Sequence, residues 1–481
     1  MKKQNAKTIQ TLRIVSQWIF TLLFLYLFLL PLFQVNVQGP SAAYFFYFDP
    51  LLMINGLILT KTIAYLFLLS LIPLLLSLVV GKFFCGWICP MGAIQQFSSW
   101  IFRTSLRKKN GYSINLLKIK YLFLVFVIVS AVFGANYLTW FDPFSLITRS
   151  LASFMPKTLN GYLPTHSLLT VAVFILILIL NAYHTRFFCN IICPLGAVYG
   201  IVSRFGLFRL QSTEACNDCH KCSTHCSYGG NAGEKFIKSE CIVCFNCVVD
   251  CPSEAVDVRF GNPAKAPLVV VNPGRRNFFG TIALGVTAAF LSKLDYSSKP
   301  GVRHSFIRPP GALNENTFLD YCQRCSQCVQ ACPTGFIQPA ISQAGIVGVW
   351  TPVVSAQSGY CEWSCNKCTQ VCPSGAIEKL TLKRKQEFKI GIAVIDKDRC
   401  YTYADGYNCS VCHDGCPIPQ KAIRYRETET WNFQGRKVNV KQIYVDPDRC
   451  TGCGICENLC PRTDAPGIFI TAQDEYRAMI N

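Results

Sequence analysis

The chain has 481 residues, 51% of them hydrophobic and only 15% charged, with a formal net charge of +19 and 28 cysteines. So apolar a chain is either a membrane protein or holds a large buried core, and it is too long for a small secreted disulfide scaffold. The positive excess points to membrane topology rather than a nucleic-acid partner: residues 1–295 hold 25 Lys and Arg against 10 Asp and Glu, beside the apolar runs, whereas residues 296–481 hold 21 against 17.

Four near-continuous apolar runs of the length a bilayer span needs come first: Ile14–Phe33, Ile63–Val80, Tyr121–Leu138 and Leu168–Tyr183. Lys2, Lys3, Lys7 and Arg13 precede the first. Lys82, Arg103, Arg107, Lys108, Lys109 and Lys118 follow the second, and Arg186, Arg204 and Arg209 follow the fourth. Residues 34–60 carry no cation before Lys61, and between Thr139 and His166 only Arg149 and Lys157 occur. The positive-inside rule then places the N-terminus, the 81–118 loop and the segment after 184 in the cytoplasm. No small-residue cleavage site follows the first run, so it reads as an anchor rather than a signal peptide.

The two membrane halves repeat one another. Phe48-Asp49-Pro50 matches Phe141-Asp142-Pro143, expected in outer loops, and FFCGWICPMGA at 83–93 matches FFCNIICPLGA at 187–197. A pseudo-symmetric four-helix bundle follows, with paired cysteines near one membrane face. A soluble segment comes next, then Arg275-Arg276 and the apolar run Phe278–Leu291, shaped like a twin-arginine export signal. Without an A-x-A-like site after it, this run is expected as a fifth, uncleaved span rather than a buried helix, with the rest of the chain outside the cytoplasm. The expected architecture is an α-helical membrane bundle of four spans plus one linker span, carrying small α+β ferredoxin-like iron–sulfur domains. Its parts are a membrane domain at 1–205, a cytoplasmic two-cluster domain at 206–272, a linker helix at 273–295 and a periplasmic four-cluster domain at 296–481. The last is expected to consist of ferredoxin-like β-hairpins and short helices held by metal more than by a large apolar core.

The cysteines fall into six runs of four. These are Cys216, Cys219, Cys222 and Cys226; Cys241, Cys244, Cys247 and Cys251; Cys322, Cys325, Cys328 and Cys332; Cys361, Cys365, Cys368 and Cys372; Cys400, Cys409, Cys412 and Cys416; and Cys450, Cys453, Cys456 and Cys460. Four of the runs fit C-x2-C-x2-C-x3-C, in which three thiolates hold one [4Fe–4S] cube and the fourth reaches a neighbouring one. Five of the six runs end in Cys-Pro. In the cytoplasmic pair, Cys216, Cys219 and Cys222 should join Cys251, and Cys241, Cys244 and Cys247 should join Cys226. The other four runs allow adjacent or nested pairing. Zinc would favour two separated CxxC pairs. Haem c is suggested by the CxxCH strings at Cys216–His220 and Cys409–His413, but those thiols already belong to runs.

Four cysteines remain: Cys85, Cys89, Cys189 and Cys193. Their i, i+4 spacing puts each pair on one face of a helix if the segment is helical. Together they suit one more cluster, redox-active disulfides or reduced thiols alike.

The first 272 residues resemble the membrane ferredoxin of the periplasmic nitrate reductase system, through four spans, two CX3CP motifs and two cytoplasmic cubane runs. Residues 273–481 resemble its exported four-cluster partner, through the twin-arginine stretch, Arg308-Pro309-Pro310-Gly311-Ala312-Leu313 and four cysteine runs. The chain looks like a fusion of the two, departing from both in that fusion and in the long gap between Cys400 and Cys409. Related pairs accompany nitrous oxide reduction and methylamine oxidation systems. The resemblance implies a quinol dehydrogenase of the cytoplasmic membrane that draws on the quinone pool and passes electrons to a periplasmic cytochrome or reductase within a larger respiratory complex. Six [4Fe–4S] clusters are expected, with a seventh centre if the CX3CP cysteines bind metal. Quinol oxidation also needs a proton acceptor. Asp49, Asp142 and His184 are candidates by position, although the two Asp also suit capping of the helices after them. The competing readings are a redox maturation or regulatory protein that reduces a metal centre during assembly of another enzyme, and an electron-transfer subunit without a quinone site.

Overall fold

The computed structural model describes residues 3–33, 42–62, 65–102, 114–153, 165–224, 226, 228–230, 236–261, 273–298, 306–341, 343–432, 434–462 and 464–472. They form two compact units, one of residues 1–30, 40–150 and 171–291, the other of residues 31–39, 151–170 and 292–481.

In the first unit, α1 (Lys3–Phe33) is followed by α2 (Pro50–Thr60), α3 (Leu71–Val80), α4 (Pro90–Ile101), α5 (Ile114–Val132), α6 (Pro143–Ser153), α7 (Thr165–Tyr183), α8 (Pro194–Ser203) and α9 (Arg275–Ser298). Among the described residues three helical stretches are long and apolar enough to cross a membrane: Lys3–Pro31, Asn115–Val132 and Arg275–Leu294. Tyr65–Val80 and Leu169–Tyr183 are shorter apolar helices. In the second run, Tyr65–Ser70 winds as a 3-10 turn before α3 begins, and Ile63 and Ala64 lie outside the described residues. The third helix runs Ile114–Val132 rather than to Leu138, because Gly134 at φ +82° turns the chain out of the helix.

The linker run is longer than its apolar letters suggest. Arg275 and Lys293 lie within the helix, giving 24 residues in α9. It meets α5 at Gly285, where an added Cβ would sit 3.1 Å from the Phe126 carbonyl oxygen and 3.1 Å from a Val129 methyl. Ser130 Oγ donates to the Gly285 carbonyl at 3.3 Å. Small residues permit this kind of close backbone approach between apolar helices. Gly285→Ile should separate the pair and destabilise the protein by about 1–3 kcal/mol, the usual cost of overpacking. Thermal unfolding of the detergent-solubilised protein measures it.

The segment after α8 packs against these helices. Strand β1 (Phe208–Ser212) pairs antiparallel with β2 (Val256–Phe260), bringing Phe208, Leu210, Val243, Phe245, Val248 and Val256 into a core that also takes Ala6 from α1. Leu207 N–H donates to the Leu78 carbonyl at 3.1 Å. Gly86 leaves room for the Ile242 carbonyl, which an added Cβ would meet at 2.7 Å.

The second unit contains three two-stranded antiparallel sheets: β3 (Ile337–Pro339) with β4 (Pro352–Val354), β5 (Ile392–Ile395) with β8 (Ile468–Thr471), and β6 (Ile423–Trp431) with β7 (Lys437–Val445). Among the described residues β6–β7 is a tight hairpin, whereas β5 and β8 lie at opposite ends of the last two cysteine runs in the chain. The cores are mixtures of cysteine and hydrocarbon. Phe318, Phe336, Ile337 and Ile377 surround Cys322, Cys328, Cys332 and Cys368. Ile392, Ile423, Ile443 and Ile468 surround Cys412, Cys450 and Cys456.

Candidate functional site

The regular cysteine runs share one backbone device. In the run from Cys216, Asp218 and His220 have φ +48° and +53°; from Cys241, Val243 and Phe245 have +58° and +59°; from Cys322, Arg324 and Ser326 have +52° and +55°; from Cys450, Gly452 and Gly454 have +73° and +78°. The second and fourth residues after the first cysteine are therefore left-handed in all four. Left-handed backbone is costly for Val, Phe and Arg and persists only where surroundings impose it. Alternation of this kind curls the chain about a point and turns successive N–H groups inward, which makes an anion-binding concavity. Sulfur also accepts N–H groups from outside these loops: Gly230 donates to Cys226 at 3.2 Å, Ala255 to Cys251 at 3.3 Å, Ala393 to Cys450 at 3.3 Å and Gly467 to Cys460 at 3.3 Å. The runs from Cys361 and Cys400, with their longer first gaps, lack the left-handed pair among the described residues.

The fourth cysteine of each run crosses to its neighbour. Cys226 lines one pocket with Cys241, Cys244, Cys247 and Cys222, and Cys251 lies in a core with Cys216, Cys222, Cys241 and Cys247. The place of Cys226 beside Cys241, Cys244 and Cys247 is the one a crossed assignment of these two runs requires. In the second unit, Cys322, Cys325 and Cys328 each lie within charge reach of Cys372, and Cys361, Cys365 and Cys368 within that of Cys332. Cys400, Cys409, Cys412 and Cys460 line one pocket, and Cys450 and Cys453 face Cys416. Pairing of these four runs is adjacent, not nested.

The four sets also have an order. Cys328 feels Cys368, Cys361 N–H donates to the Cys453 carbonyl at 2.8 Å, and Cys456 feels Cys412. The succession is the Cys322 set, the Cys361 set, the Cys450 set and the Cys400 set. Burial, then the charges of Cys400 and Cys409, push the Cys412 thiol up to about 12. Burial, with the neighbouring Cys450 and Cys361 charges, likewise pushes Cys453 up to about 12. Several thiolates coexist in such pockets only around cationic metal. No group of three or more His, Cys, Asp or Glu among the described residues is placed to hold a single ion. A cube takes each thiolate on a different iron, so the donor sets fit [4Fe–4S] clusters.

The CX3CP cysteines converge as well. Cys85 lies within charge reach of Cys189, Cys89 of both, and Cys193 of all three others. They do not lie on continuous helices, however. A short helix over Phe83–Trp87 ends before Cys89, which is the N-cap of α4, and a π-turn over Phe188–Ile192 ends before Cys193, the N-cap of α8. Pro90 and Pro194 impose the break, each at a first helical position.

A layer of buried cations lies between this tetrad and the Cys241 set. Arg186 is within charge reach of Cys189, Cys89 and Cys244, Arg13 of Cys244, and Lys82 of Cys85. Arg186 and Arg13 both donate to Gln96 Oε1, at 2.5 and 3.3 Å. Glu240, fully buried, accepts from Lys82 at 3.2 Å, from Tyr121 at 2.7 Å and from Lys120. Burial alone would raise the Glu240 carboxyl, but Lys120 and Lys82 outweigh it and hold it below the ordinary 4.5. No sequence signal marks this group, since its members lie on α1, α5 and three loops far apart in the chain.

Asp49 and Asp142 are both wholly buried, not exposed in loops. Each caps the helix after it, Asp49 Oδ1 accepting from Leu51 N–H and Asp142 Oδ2 from Ser145 N–H, both at 2.7 Å. His184 is exposed just beyond the end of α7.

These sites and the small domains around them define an iron–sulfur protein of ferredoxin type, which transfers electrons through several [4Fe–4S] clusters. Residues 62–109 and 167–212 match the family model described as a 4Fe-4S binding domain, and residues 407–464 and 321–377 match models described as 4Fe-4S dicluster domains. The chain belongs to the family of ferredoxin-type proteins that includes NapG and MauM. It is 36% identical to ferredoxin-type protein NapG of Escherichia coli (strain K12) over 39% of this chain and 81% of that protein. It is 33% identical to methylamine utilization ferredoxin-type protein MauM of Methylobacillus flagellatus over 43% of this chain and 87% of that protein. An uncharacterized protein of Methanocaldococcus jannaschii is 28% identical over 52% of this chain and 86% of its own length. No solved structure matches the chain.

Proposed function

We propose that the protein oxidises quinol in the cytoplasmic membrane and relays the electrons to a periplasmic cytochrome or reductase. In this reading it joins a membrane ferredoxin to an exported one in a single chain, with residues 1–205 in the membrane, 206–272 in the cytoplasm, 273–295 as linker and 296–481 outside. The 24 cysteines of the six runs hold six [4Fe–4S] clusters, and Cys85, Cys89, Cys189 and Cys193 hold a seventh centre. Such clusters, when bound, take up and release one electron at a time.

The observation that carries this reading is the buried cation layer. Arg13, Lys82, Lys120 and Arg186 are each at most 3% exposed, and Glu240 is the one carboxylate bonded to them among the described residues. Unbalanced charge is very costly to bury. A cube with four thiolates is a net anion, so an anionic centre on each side of the layer supplies the balance. Disulfides or protonated thiols at the tetrad would leave it uncompensated. Arg186 reaches Cys89 and Cys189 on one side and Cys244 on the other, which supports a membrane site that adjoins the cytoplasmic pair.

Anaerobically purified full-length protein tests this. It should carry roughly 28 irons rather than 24, and added quinol should reduce its clusters. Cys89→Ser should remove about four irons and stop reduction by quinol while leaving reduction by dithionite. A fully loaded protein that quinol does not reduce would overturn the quinol reading. Labelling from the cytoplasmic side alone of a tag inserted in residues 296–481 would overturn the periplasmic placement.

A further inference from the structure

The run from Cys361 has an extra residue in its first gap and no left-handed pair among the described residues. That gap is held in another way. Lys385 Nζ donates to the Glu362 carbonyl at 2.5 Å and to the Trp363 carbonyl at 3.4 Å, and Gln386 Nε2 donates to Trp363 at 3.3 Å. Both carbonyls lie between Cys361 and Cys365. Lys385 comes from the short helix Leu382–Glu387, capped by Thr381, whose hydroxyl accepts from Arg384 N–H at 3.3 Å. The helix sits against its own hydropathy. Leu382 is 39% exposed and Lys385 only 5%, the reverse of where these residue types ordinarily go. Lys383 and Arg384 are exposed, so one cation of the three is turned inward.

Among the described residues no carboxylate forms an ion pair with Lys385, and carbonyls carry no net charge. A buried cation without a counter-charge is very costly. Four thiolates on a cube make a net anion, which supplies the balance. Arg324 repeats the arrangement one run earlier. It is 1% exposed, held left-handed, and donates to the carbonyls of Cys322, Val347 and Val349 at 3.4, 2.6 and 3.1 Å.

The last two runs are built differently. Between residues 389 and 472 no Lys or Arg is buried among the described residues. The arginines beside the cysteines there are each paired with an aspartate: Arg399 with Asp396 at 3.4 Å, Arg449 with Asp446 at 3.1 Å and Arg462 with Asp405 at 2.8 Å. Lys421 reaches the carbonyls of His413 and Asp414 at 2.8 and 3.2 Å. It is half-exposed, so water and salt screen its charge.

We propose that Lys385 sets the order in which the second unit fills with electrons. Its charge, with that of Arg324, raises the reduction potentials of the Cys361 and Cys322 sets above those of the Cys450 and Cys400 sets. An electron added to a cube makes it more negative by one charge. A buried, unpaired cation at its edge favours that state, whereas a paired or solvated cation favours it little. One electron enters from the reductant, and no bond or proton is exchanged. Lys385 is thus a positioning residue for charge rather than a cluster ligand. The inference holds whatever supplies the electron, so it stands apart from the quinol reading.

A dithionite titration of the anaerobic, cluster-loaded full-length protein, followed by paramagnetic resonance, tests it. The four signals of the second unit are assigned by their loss in Cys325→Ser, Cys365→Ser, Cys409→Ser and Cys453→Ser. In the wild type the signals lost in Cys325→Ser and Cys365→Ser should appear first. Lys385→Gln keeps a donor for the two carbonyls and removes the charge. At the wild-type midpoint of the Cys361 set, its reduced-to-oxidised ratio should fall about tenfold, equivalent to about 59 mV for one electron. Lys385→Arg, which keeps the charge, should stay near wild type. Reduction of the Cys400 or Cys450 set before the other two would overturn the proposal. So would an unchanged midpoint in a Lys385→Gln protein with full iron content, or an equal fall in Lys385→Arg, which would mark a packing effect. If Lys385→Gln loads fewer irons, the filling order of the wild type and the midpoint of Lys385→Arg decide.

Discussion

A Cys332→Ala protein is expected to lose the cluster of Cys361, Cys365 and Cys368, not the one held by its own run. Cys332 is the residue those three thiols face, whereas Cys322, Cys325 and Cys328 face Cys372. Iron content should fall by about four per chain. The Cys361 set is also the middle link, contacting the Cys322 set through Cys368 and the Cys450 set through the Cys361–Cys453 hydrogen bond. The Cys322 set should therefore still be reducible, while electron exchange between it and the Cys450 and Cys400 sets falls to a small fraction of the wild-type rate. Cys372→Ala gives the complementary pattern: the Cys322 set goes and the other three stay in contact. Rapid-freeze paramagnetic resonance on the two variants separates them. Equal loss at both sites in each variant would contradict the crossed assignment.

The second large effect is at Glu240. Glu240→Ala leaves Lys82 and Lys120 buried beside each other with no carboxylate, and removing one partner of a buried ion pair costs about 3–5 kcal/mol. That is a large fraction of the stability of an ordinary domain. Glu240→Gln, which keeps the hydrogen bond to Tyr121 but not the charge, should be milder. The pH dependence has a definite sign. The folded-state carboxyl of Glu240 lies below its ordinary 4.5, so its stabilisation is present above that value and is lost as pH falls through the lower folded value. Acid unfolding of the wild type should consequently be steeper over that window than that of Glu240→Gln. Identical acid limbs in denaturation monitored by cluster absorbance would refute the assignment.

Much of the cysteine chemistry was legible from spacing alone. Two-residue gaps determine which three thiols converge, and the place of Cys226 beside the Cys241 set was readable because residues 206–272 hold only two runs. The partner of Cys332 was not readable. With four runs available, it depends on how the β3–β4 and β5–β8 pairs fold the runs together, and β5 and β8 are more than seventy residues apart. The CX3CP pairs misled in one respect. Spacing of i, i+4 suggests a shared helical face, but Pro90 and Pro194 end the first helical segment, and the second cysteine caps a new helix. The FDP turns were correctly legible as caps, since Asp before Pro before an apolar run is an N-terminal signature. Their burial was not, because nothing local to Asp49 reveals that Asp142 lies opposite it. The cation layer was likewise hidden: Lys82 and Glu240 are 158 positions apart, and in the sequence Lys82 looks like an ordinary inner-face charge.

The crossing of fourth cysteines bears on how the protein is made. No cluster in the second unit is completed by the cysteines of a single run. The Cys322 set waits for Cys372, the Cys361 set already has Cys332, and the Cys400 set waits for Cys460. Cluster insertion is thus a paired event, timed by when the later run becomes available. A chain ending near residue 395 would contain every ligand of the first pair and none of the second. Maturation of the second unit therefore divides into two separable stages, and a block at the later one would leave a protein with its first pair of clusters finished and its second pair empty.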